Sequence, residues 1–397
     1  MSHYHYLIVG GGMAAYAAIR GIRAVDPDGS IGLVSGESYP PYKRPPLSKG
    51  LWRGKPLDKI WYPLDAFRVI LHLGRRVETL DLSKKTVTDD QGNDYRFDKL
   101  LIATGGDVVR LPFGGDEIIY FRDLTDYHRL LALSGQKQRF AVIGGGFIGS
   151  EIAAALAMNG KQVTMLFPEQ GIGASLFPGD LVHFLNDYYR AHGVDVLPSQ
   201  LVTGLERDRQ GLCLIARGRA GGAELRIETD AVVAGIGIRP NVSLAERAGL
   251  AVDNGIVVDA LLRSGHPDIY AAGDVANFYN PALDRRMRAE HEDAALTMGE
   301  CAGRNMAGDA SSYYHLPYFY SDLFELGYEA VGRIDSRLEM VEDWMEPFKK
   351  GVIYYLQQDR VRGVLLWNVW DRLGAARALI AEPGPFTPAD VAGMLVS

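Results

Sequence analysis

Two stretches of this chain run through the same series of elements, and that duplication limits the available folds more than any other feature. Residues 4–37 read YHYLIVGGGMAAYAAIRGIRAVDPDGSIGLVSGE. Leu7, Ile8 and Val9 form a short apolar run of strand type, and Gly10, Gly11 and Gly12 follow at once. Ala14, Ala15, Ala17, Ala18 and Ile19 then predict a small-residue helix able to lie close against a sheet. A second apolar run, residues 31–34, ends just before Glu37. Residues 139–169, RFAVIGGGFIGSEIAAALAMNGKQVTMLFPE, repeat strand, glycine turn, alanine helix, strand and acid. The Asn159-Gly160 pair stops the second helix.

A dinucleotide needs these parts in this order. It requires a tight turn, bare backbone beside the pyrophosphate, a helix N-terminus facing its charge, and an acid for the ribose hydroxyls. Gly144, Gly146 and Gly149 fill the G-x-G-x-x-G pattern; in the first copy Gly10 and Gly12 fill it with Ala15 in the last place. Each copy closes on an apolar strand running into glycine, KLLIATGG at 99–106 and DAVVAGIGIRPN at 230–241. Two modules predict two dinucleotides.

Between the modules, SYPPYKRPPLSKGL (residues 38–51) is a proline-stiffened loop carrying Arg44 and Lys49. Pro46 is expected in the first turn of a short helix bearing Ser48 and Lys49. Residues 75–97 read as short alternating strands with a turn at 90–93, and residues 194–227 as glycine-punctuated strands. The segment 264–278 is strand-like, passing through Gly273-Asp274, and residues 287–306 are expected to be helical. From about His315 the chain mixes aromatics with strand patterns and has no glycine fingerprint, which predicts a smaller α+β domain with Trp367, Val369 and Trp370 in its core or at an interface.

The expected architecture is α/β, with two Rossmann-like dinucleotide-binding domains of glutathione-reductase type and a C-terminal α+β domain. The expected bounds are 1–112 with 239–314, 113–238 and 315–397. A formal charge of −7 over 397 residues disfavours nucleic acid as a partner. No apolar run approaches the length of a membrane span, and with a strand starting at Tyr4 the expectation is a cytoplasmic protein without a leader. Cys213 and Cys301 are the only cysteines and form no C-x-x-C, so neither a redox disulfide nor a metal site is expected.

With these pieces placed, the chain resembles the FAD- and NAD(H)-dependent pyridine nucleotide reductases. It is most similar to the ferredoxin-reductase and apoptosis-inducing-factor branch, and within that to the apoptosis-inducing-factor-like proteins. The segments that carry the resemblance are PYKRPPLSKGLW, GGGFIGSE, MLFPEQG, IYAAGDVANFY, EHEDAA, SDLFELGYEAVG and VLLWNVWDR. The resemblance implies FAD in the first module and NAD(H) in the second. For FAD it implies Gly10, Gly12 and Ala15 at the pyrophosphate, Glu37 at the ribose, and Arg44, Lys49, Val77, Ala103, Thr104, Gly105 and Asp274 along the cofactor. Glu290, His291 and Tyr320 are implied near the flavin. For NAD(H) it implies Gly144, Gly146, Phe147, Ile148, Gly149, Glu151, Glu169 and Gly237. Lys49 and Glu151 are implied as a catalytic pair; Glu169, ending the second strand of the second module, is by its position the acid expected to favour NADH over NADPH.

Three departures stand out. Tyr320 replaces the family's usual tryptophan, so the stacking platform differs. Ser175 stands where the apoptosis-inducing factors tend to have lysine. No mitochondrial leader or nuclear-localisation run is visible, so a bacterial-type reductase is expected rather than a cell-death role. The expected activity is an oxidoreductase, a flavoprotein passing electrons from NADH through FAD to a ferredoxin-type iron–sulfur protein. Arg285, Arg286 and Arg288, or Lys349 and Lys350, are candidates to meet that acidic partner. Two other outputs fit the same residues. One is a redox-responsive protein holding a long-lived complex of reduced flavin and NAD, as monomer or NADH-promoted homodimer; the other is a reductase of monodehydroascorbate or quinone-type acceptors.

Overall fold

The strand Ser2–Val9 pairs in parallel with Ile31–Ser35 on one side and Asp94–Ile102 on the other, setting Leu7 opposite Gly32 and Leu100. The computed structural model describes residues 2–207 and 211–395. Two compact units emerge, one of Met1–Arg44, Asp58–Asp107 and Arg239–Phe319, the other of Pro45–Leu57, Val108–Ile238 and Tyr320–Ser397.

In the first unit the parallel sheet is extended by Val69–Leu73 beyond Ile31–Ser35 and by Ile269–Ala271 beside Asp94–Ile102. The strand Asp94–Ile102 divides its length. On the edge away from Ser2–Val9 its early residues pair antiparallel with Thr86–Asp89 in a three-stranded meander completed by Val77–Asp81, and its late residues pair in parallel with Ile269–Ala271. The late half (Leu100, Leu101 and Ile102) is wholly buried, as parallel strands covered on both faces must be.

Helix Met13–Val25 lies against helix Glu292–Met306. Small residues set that approach: a Cβ on Gly303 would fall 2.1 Å from the Ala18 carbonyl oxygen, and one on Gly299 2.3 Å from that of Ala14. The helix predicted over 287–306 begins later, at Glu292. Arg285–Met287 is instead the edge of a hairpin with Ala276–Asn280.

The second unit carries a fully parallel sheet in the order Val194–Leu197, Gln162–Leu166, Arg139–Ile143, Ala231–Ala234, Ile118–Tyr120. Gln200–Arg207, Leu212–Gly218 and Glu224–Thr229 form an antiparallel sheet beside it. The C-terminal five-stranded sheet has the order Tyr318–Leu323, Leu326–Gly332, Arg360–Trp367, Lys350–Gln357, Glu339–Glu346, with helix Leu373–Ala381 packed on it. Its strand pairs are antiparallel, and the middle strands are buried almost end to end. Phe177 meets Tyr328 and Trp367 edge-on at 5.3 and 5.7 Å, and Tyr355 donates to the Leu176 carbonyl. The apolar stripe expected there splits: Trp367 is core, whereas Trp370 is 51% exposed.

The proline-rich loop does not form one helix carrying Ser48 and Lys49. Two 3-10 turns, Pro45–Leu47 and Gly50–Arg53, flank those residues. Trp52 Nε1 donates to the Leu47 carbonyl and Asn159 Nδ2 to that of Trp52, fastening the loop to helix Phe147–Met158.

Candidate functional site

The two glycine turns are built alike, bond for bond. Gly10 N donates to Val34 O at 2.8 Å and Ala103 N to Val9 O at 2.8 Å; Gly144 N donates to Leu166 O and Gly235 N to Ile143 O, both at 2.9 Å. Gly10 (φ 119°) and Gly144 (φ 113°) hold a backbone that side chains rarely adopt. A Cβ on Gly10 would lie 2.1 Å from Ala103 O, and one on Gly144 2.4 Å from Gly235 O. By contrast a Cβ on Gly12 or Gly146 would meet nothing within 4 Å. These two glycines begin helices Met13–Val25 and Phe147–Met158, and no side chain caps either one. Open space in front of an uncapped helix start, bounded by a closed glycine turn, fits a pyrophosphate.

The modules differ at the last fingerprint position. Gly149 presses on its own turn, where a Cβ would stand 2.0 Å from Gly144 O. In the first module Ala15 occupies that place, fully buried. Phe147 and Ile148 complete the first turn of the second helix, and Gly237 (φ 97°) faces open space.

In the first unit the acid beyond the second strand is already engaged. Tyr42 donates to Glu37 Oε2 at 2.8 Å, and Arg44 is ion-paired with Glu37 Oε1. Burial opposes the Arg44 charge, yet the Glu37 carboxylate and Tyr42 beside it push its pKa upward. Tyr42 is a residue that sequence reasoning missed. Thr104 donates to Asn241 O at 2.9 Å, Gly105 sits at φ 63°, and Val77 is half-buried where the meander begins. Asp274 follows Gly273 (φ 77°), and its carbonyl accepts from Arg288 at 3.0 Å. Arg288 also pairs with Glu290 at 2.5 Å, while its Nε is buried with no partner among the described residues. His291 stacks on Phe319, with centroids 4.5 Å apart.

Of the basic residues offered to an acidic partner, Arg285, Arg286, Lys349 and Lys350 are exposed. Arg288 is turned inward, Arg286 donates to the carbonyls of Val258 and Asn277, and Lys349 pairs with Glu346.

In the second unit Glu151 is the focus. Its side chain is 3% exposed, and Lys49 Nζ stands 2.6 Å from its Oε1. Ser48 donates to Oε2 and Ser321 to Oε1, each at 2.6 Å. Lys49 Nζ also lies 5.1 Å from the centre of the Tyr320 ring. Sequence reasoning brought Lys49 and Glu151 together and placed Tyr320 nearby, but missed both serines. The adjacency of Ser48 to Lys49, and of Ser321 to Tyr320, was the only signal. Tyr189 donates to the Ser150 carbonyl, and burial first, then the Glu151 charge, pushes Tyr189 and Tyr328 well above the ordinary phenol range.

Glu169 lies in the bend beyond Gln162–Leu166 rather than at the strand's end, and its side chain is exposed. Arg219 Nη1 reaches the Pro168 carbonyl next to it, at 3.4 Å. Arg190 is tied to Asp187 and the Val196 carbonyl. Ser175 accepts a backbone bond from Ser336 N at 3.0 Å.

The residues present thus fit two dinucleotides, and comparison with known proteins agrees. Residues 4–299 match the family described as pyridine nucleotide-disulphide oxidoreductase. Residues 302–347 and 341–382 match the C-terminal domain of the mitochondrion-associated apoptosis-inducing factor. The chain is 33% identical over 424 residues to apoptosis-inducing factor 1, mitochondrial, of Dictyostelium discoideum, covering 96% of this chain and 79% of that protein. It is 34% identical over 412 residues to the ferredoxin–NAD(+) reductase component of the anthranilate 1,2-dioxygenase system of Burkholderia cepacia, covering 98% of each. Among solved structures, the reductase of the covalent putidaredoxin reductase–putidaredoxin complex superposes with a TM-score of 0.90 at 28% identity, covering 100% of this chain and 96% of that one.

Proposed function

The chain belongs to the pyridine nucleotide-disulphide oxidoreductase family, and from that premise we propose that it oxidises NADH and reduces a ferredoxin-type iron–sulfur protein. It binds FAD and NAD(H). One NADH and two oxidised one-electron acceptors give NAD+, two reduced acceptors and one proton. FAD, when bound, supplies the exchange between the two-electron donor and the one-electron acceptor.

The observation that carries this reading is the pairing of a complete Lys49–Glu151 site with cysteines unsuited to thiol chemistry. Cys213 is buried in a strand. Burial pushes the Cys301 thiol up to about 11, far from the thiolate a disulfide or peroxide acceptor needs. In the proposal Lys49 places its cation beside the flavin, where it favours the electron-rich form, and Glu151 orients that cation. Gly10, Gly12, Ala15, Glu37, Arg44, Val77, Ala103, Thr104, Gly105, Asp274, Glu290, His291 and Tyr320 belong to the FAD site. Gly144, Gly146, Phe147, Ile148, Gly149, Glu169 and Gly237 belong to the NAD(H) site. The domain bounds proposed are 1–112 with 239–314, 113–238, and 315–397.

Among the described residues no helix is long and apolar enough to cross a membrane, and a cytoplasmic location is part of the proposal. The C-terminal match over residues 302–382 favours a second reading, a redox-responsive protein whose NADH-reduced form is long-lived and promotes a homodimer. One experiment separates the two. The protein is reduced anaerobically with one equivalent of NADH and mixed with an oxidised ferredoxin-type protein. Rapid reoxidation supports the electron-transfer reading; a reduced species indifferent to that acceptor supports the second and sinks the first.

A further inference from the structure

Two segments remote in sequence supply the donors to the Glu151 carboxylate. Ser48 and Lys49 come from the stiff loop and Ser321 from the strand Tyr318–Leu323, while Glu151 itself projects from helix Phe147–Met158. Ser48 and Ser321 are both buried. Their carriers are independently fixed: Arg53 donates to Phe324 O at 2.8 Å, joining the loop to the turn after Ser321, and Trp52 and Asn159 tie the same loop to the helix.

A buried carboxylate that relied on one lysine alone would be left uncompensated each time the ammonium turned to another acceptor. Here Oε2 accepts from Ser48, and Oε1 accepts from Ser321 as well as Lys49. We propose that Ser48 and Ser321 are positioning residues of the flavin-reduction site, holding Glu151 in one orientation as an acceptor that stays satisfied whether or not Lys49 remains on it. Lys49 is thereby free to serve the cofactor without stranding its partner. The charged and titratable groups facing Glu151 are Lys49 from the loop, Tyr189 from helix Gly179–Ala191 and Tyr328 from the C-terminal sheet. Both phenols are held neutral, so the serine hydroxyls are the donors left on the carboxylate when Lys49 is away.

This inference rests on the reading that Lys49 and Glu151 act at the flavin, and the test keeps the two apart. The rate of flavin bleaching by NADH is followed from pH 5.5 to 9 in wild type, Glu151→Gln, Ser48→Ala, Ser321→Ala, the double serine variant, and the serine variants combined with Glu151→Gln. Each alanine is expected to slow reduction about ten-fold, the scale of one hydrogen bond to a charged group. The acid limb of the profile should move up by about one pH unit, and the serine effects should vanish in the Glu151→Gln background. Serine variants with the wild-type rate and profile, beside a slow Glu151→Gln, overturn the positioning role alone. So do serine effects that persist undiminished without the carboxylate. A wild-type rate for Glu151→Gln overturns the underlying reading, and the positioning role with it. Should Ser321→Ala fail to fold, Ser48→Ala between its two 3-10 turns carries the test alone.

Discussion

Lys49 and Glu151 are 102 positions apart in sequence and 2.6 Å apart in space, in a setting that leaves the carboxylate almost without solvent. Removing Glu151 strands the Lys49 cation at a cost of about 3–5 kcal/mol, whereas Glu151 without Lys49 keeps its two serine donors. Lys49→Ala and Glu151→Ala are each expected to slow flavin reduction by NADH at least about ten-fold. The double variant should fall short of the summed effects by about 1–3 kcal/mol in activation free energy. Stopped-flow reduction of the four proteins measures this, and strict additivity would show that the side chains do not cooperate.

The second glycine turn separates two roles that one motif conceals. Gly146 faces open space and Gly149 faces the Gly144 carbonyl at 2.0 Å. Gly146→Ala is expected to leave the melting temperature nearly unchanged and to weaken NADH binding about ten-fold or more. Gly149→Ala should cost about 1–3 kcal/mol of stability through overpacking against backbone. Thermal unfolding and NADH titration of the two variants give the comparison. Equal destabilisation by both would contradict the open cradle at Gly146.

In the NAD(H) site proposed above, cofactor preference turns on Glu169 and on Arg219 beside it. An exposed carboxylate at the ribose accepts from the hydroxyls and repels a 2′-phosphate, by about 1 kcal/mol in water and about 4 at an intermediate dielectric for charges about 4 Å apart. NADH should therefore be preferred about ten-fold or more. Arg219, anchored on the Pro168 carbonyl, offsets part of that repulsion. Glu169→Gln is expected to narrow the NADH-to-NADPH ratio of kcat/KM and Arg219→Ala to widen it. Equal use of both cofactors by the wild type would remove Glu169 from this role.

Acid sensitivity should be traceable to Asp89, which closes the turn of the meander. Its carboxylate accepts from Asn93, Gln91, Tyr95 and Arg75. Burial acts to raise its pKa, but the backbone amide of Asn93 and the Tyr95 hydroxyl outweigh it, and the group is held well below the usual carboxylate range. A depressed folded value means stability that is present above the unfolded value of about 4 and lost as pH falls toward the folded one. Asp89→Asn is expected to cost about 2–3 kcal/mol at pH 7, with the gap to wild type closing below about pH 4. Melting curves at pH 7 and 3.5 test this; a gap that ignores pH would assign the loss to packing instead of charge.

What the amino-acid sequence determined by itself was the repeated, periodic framework. The strand-glycine-helix-strand programme at 4–37 and 139–169 announced two dinucleotide modules, because a glycine turn and an apolar period of two or 3.6 are written in neighbouring residues. What only the tertiary structure decided were the meetings across distance. Ser321 reaches Glu151 from 170 positions away, since a hydroxyl in a strand carries no mark of which carboxylate it will meet. Arg288 looks like one of a solvated basic run, yet it folds inward onto Glu290 and the Asp274 carbonyl. The same limit separates Trp367 in the core from Trp370 at the surface: their spacing is fixed by the chain, but which of them is covered depends on the elements packed against the sheet.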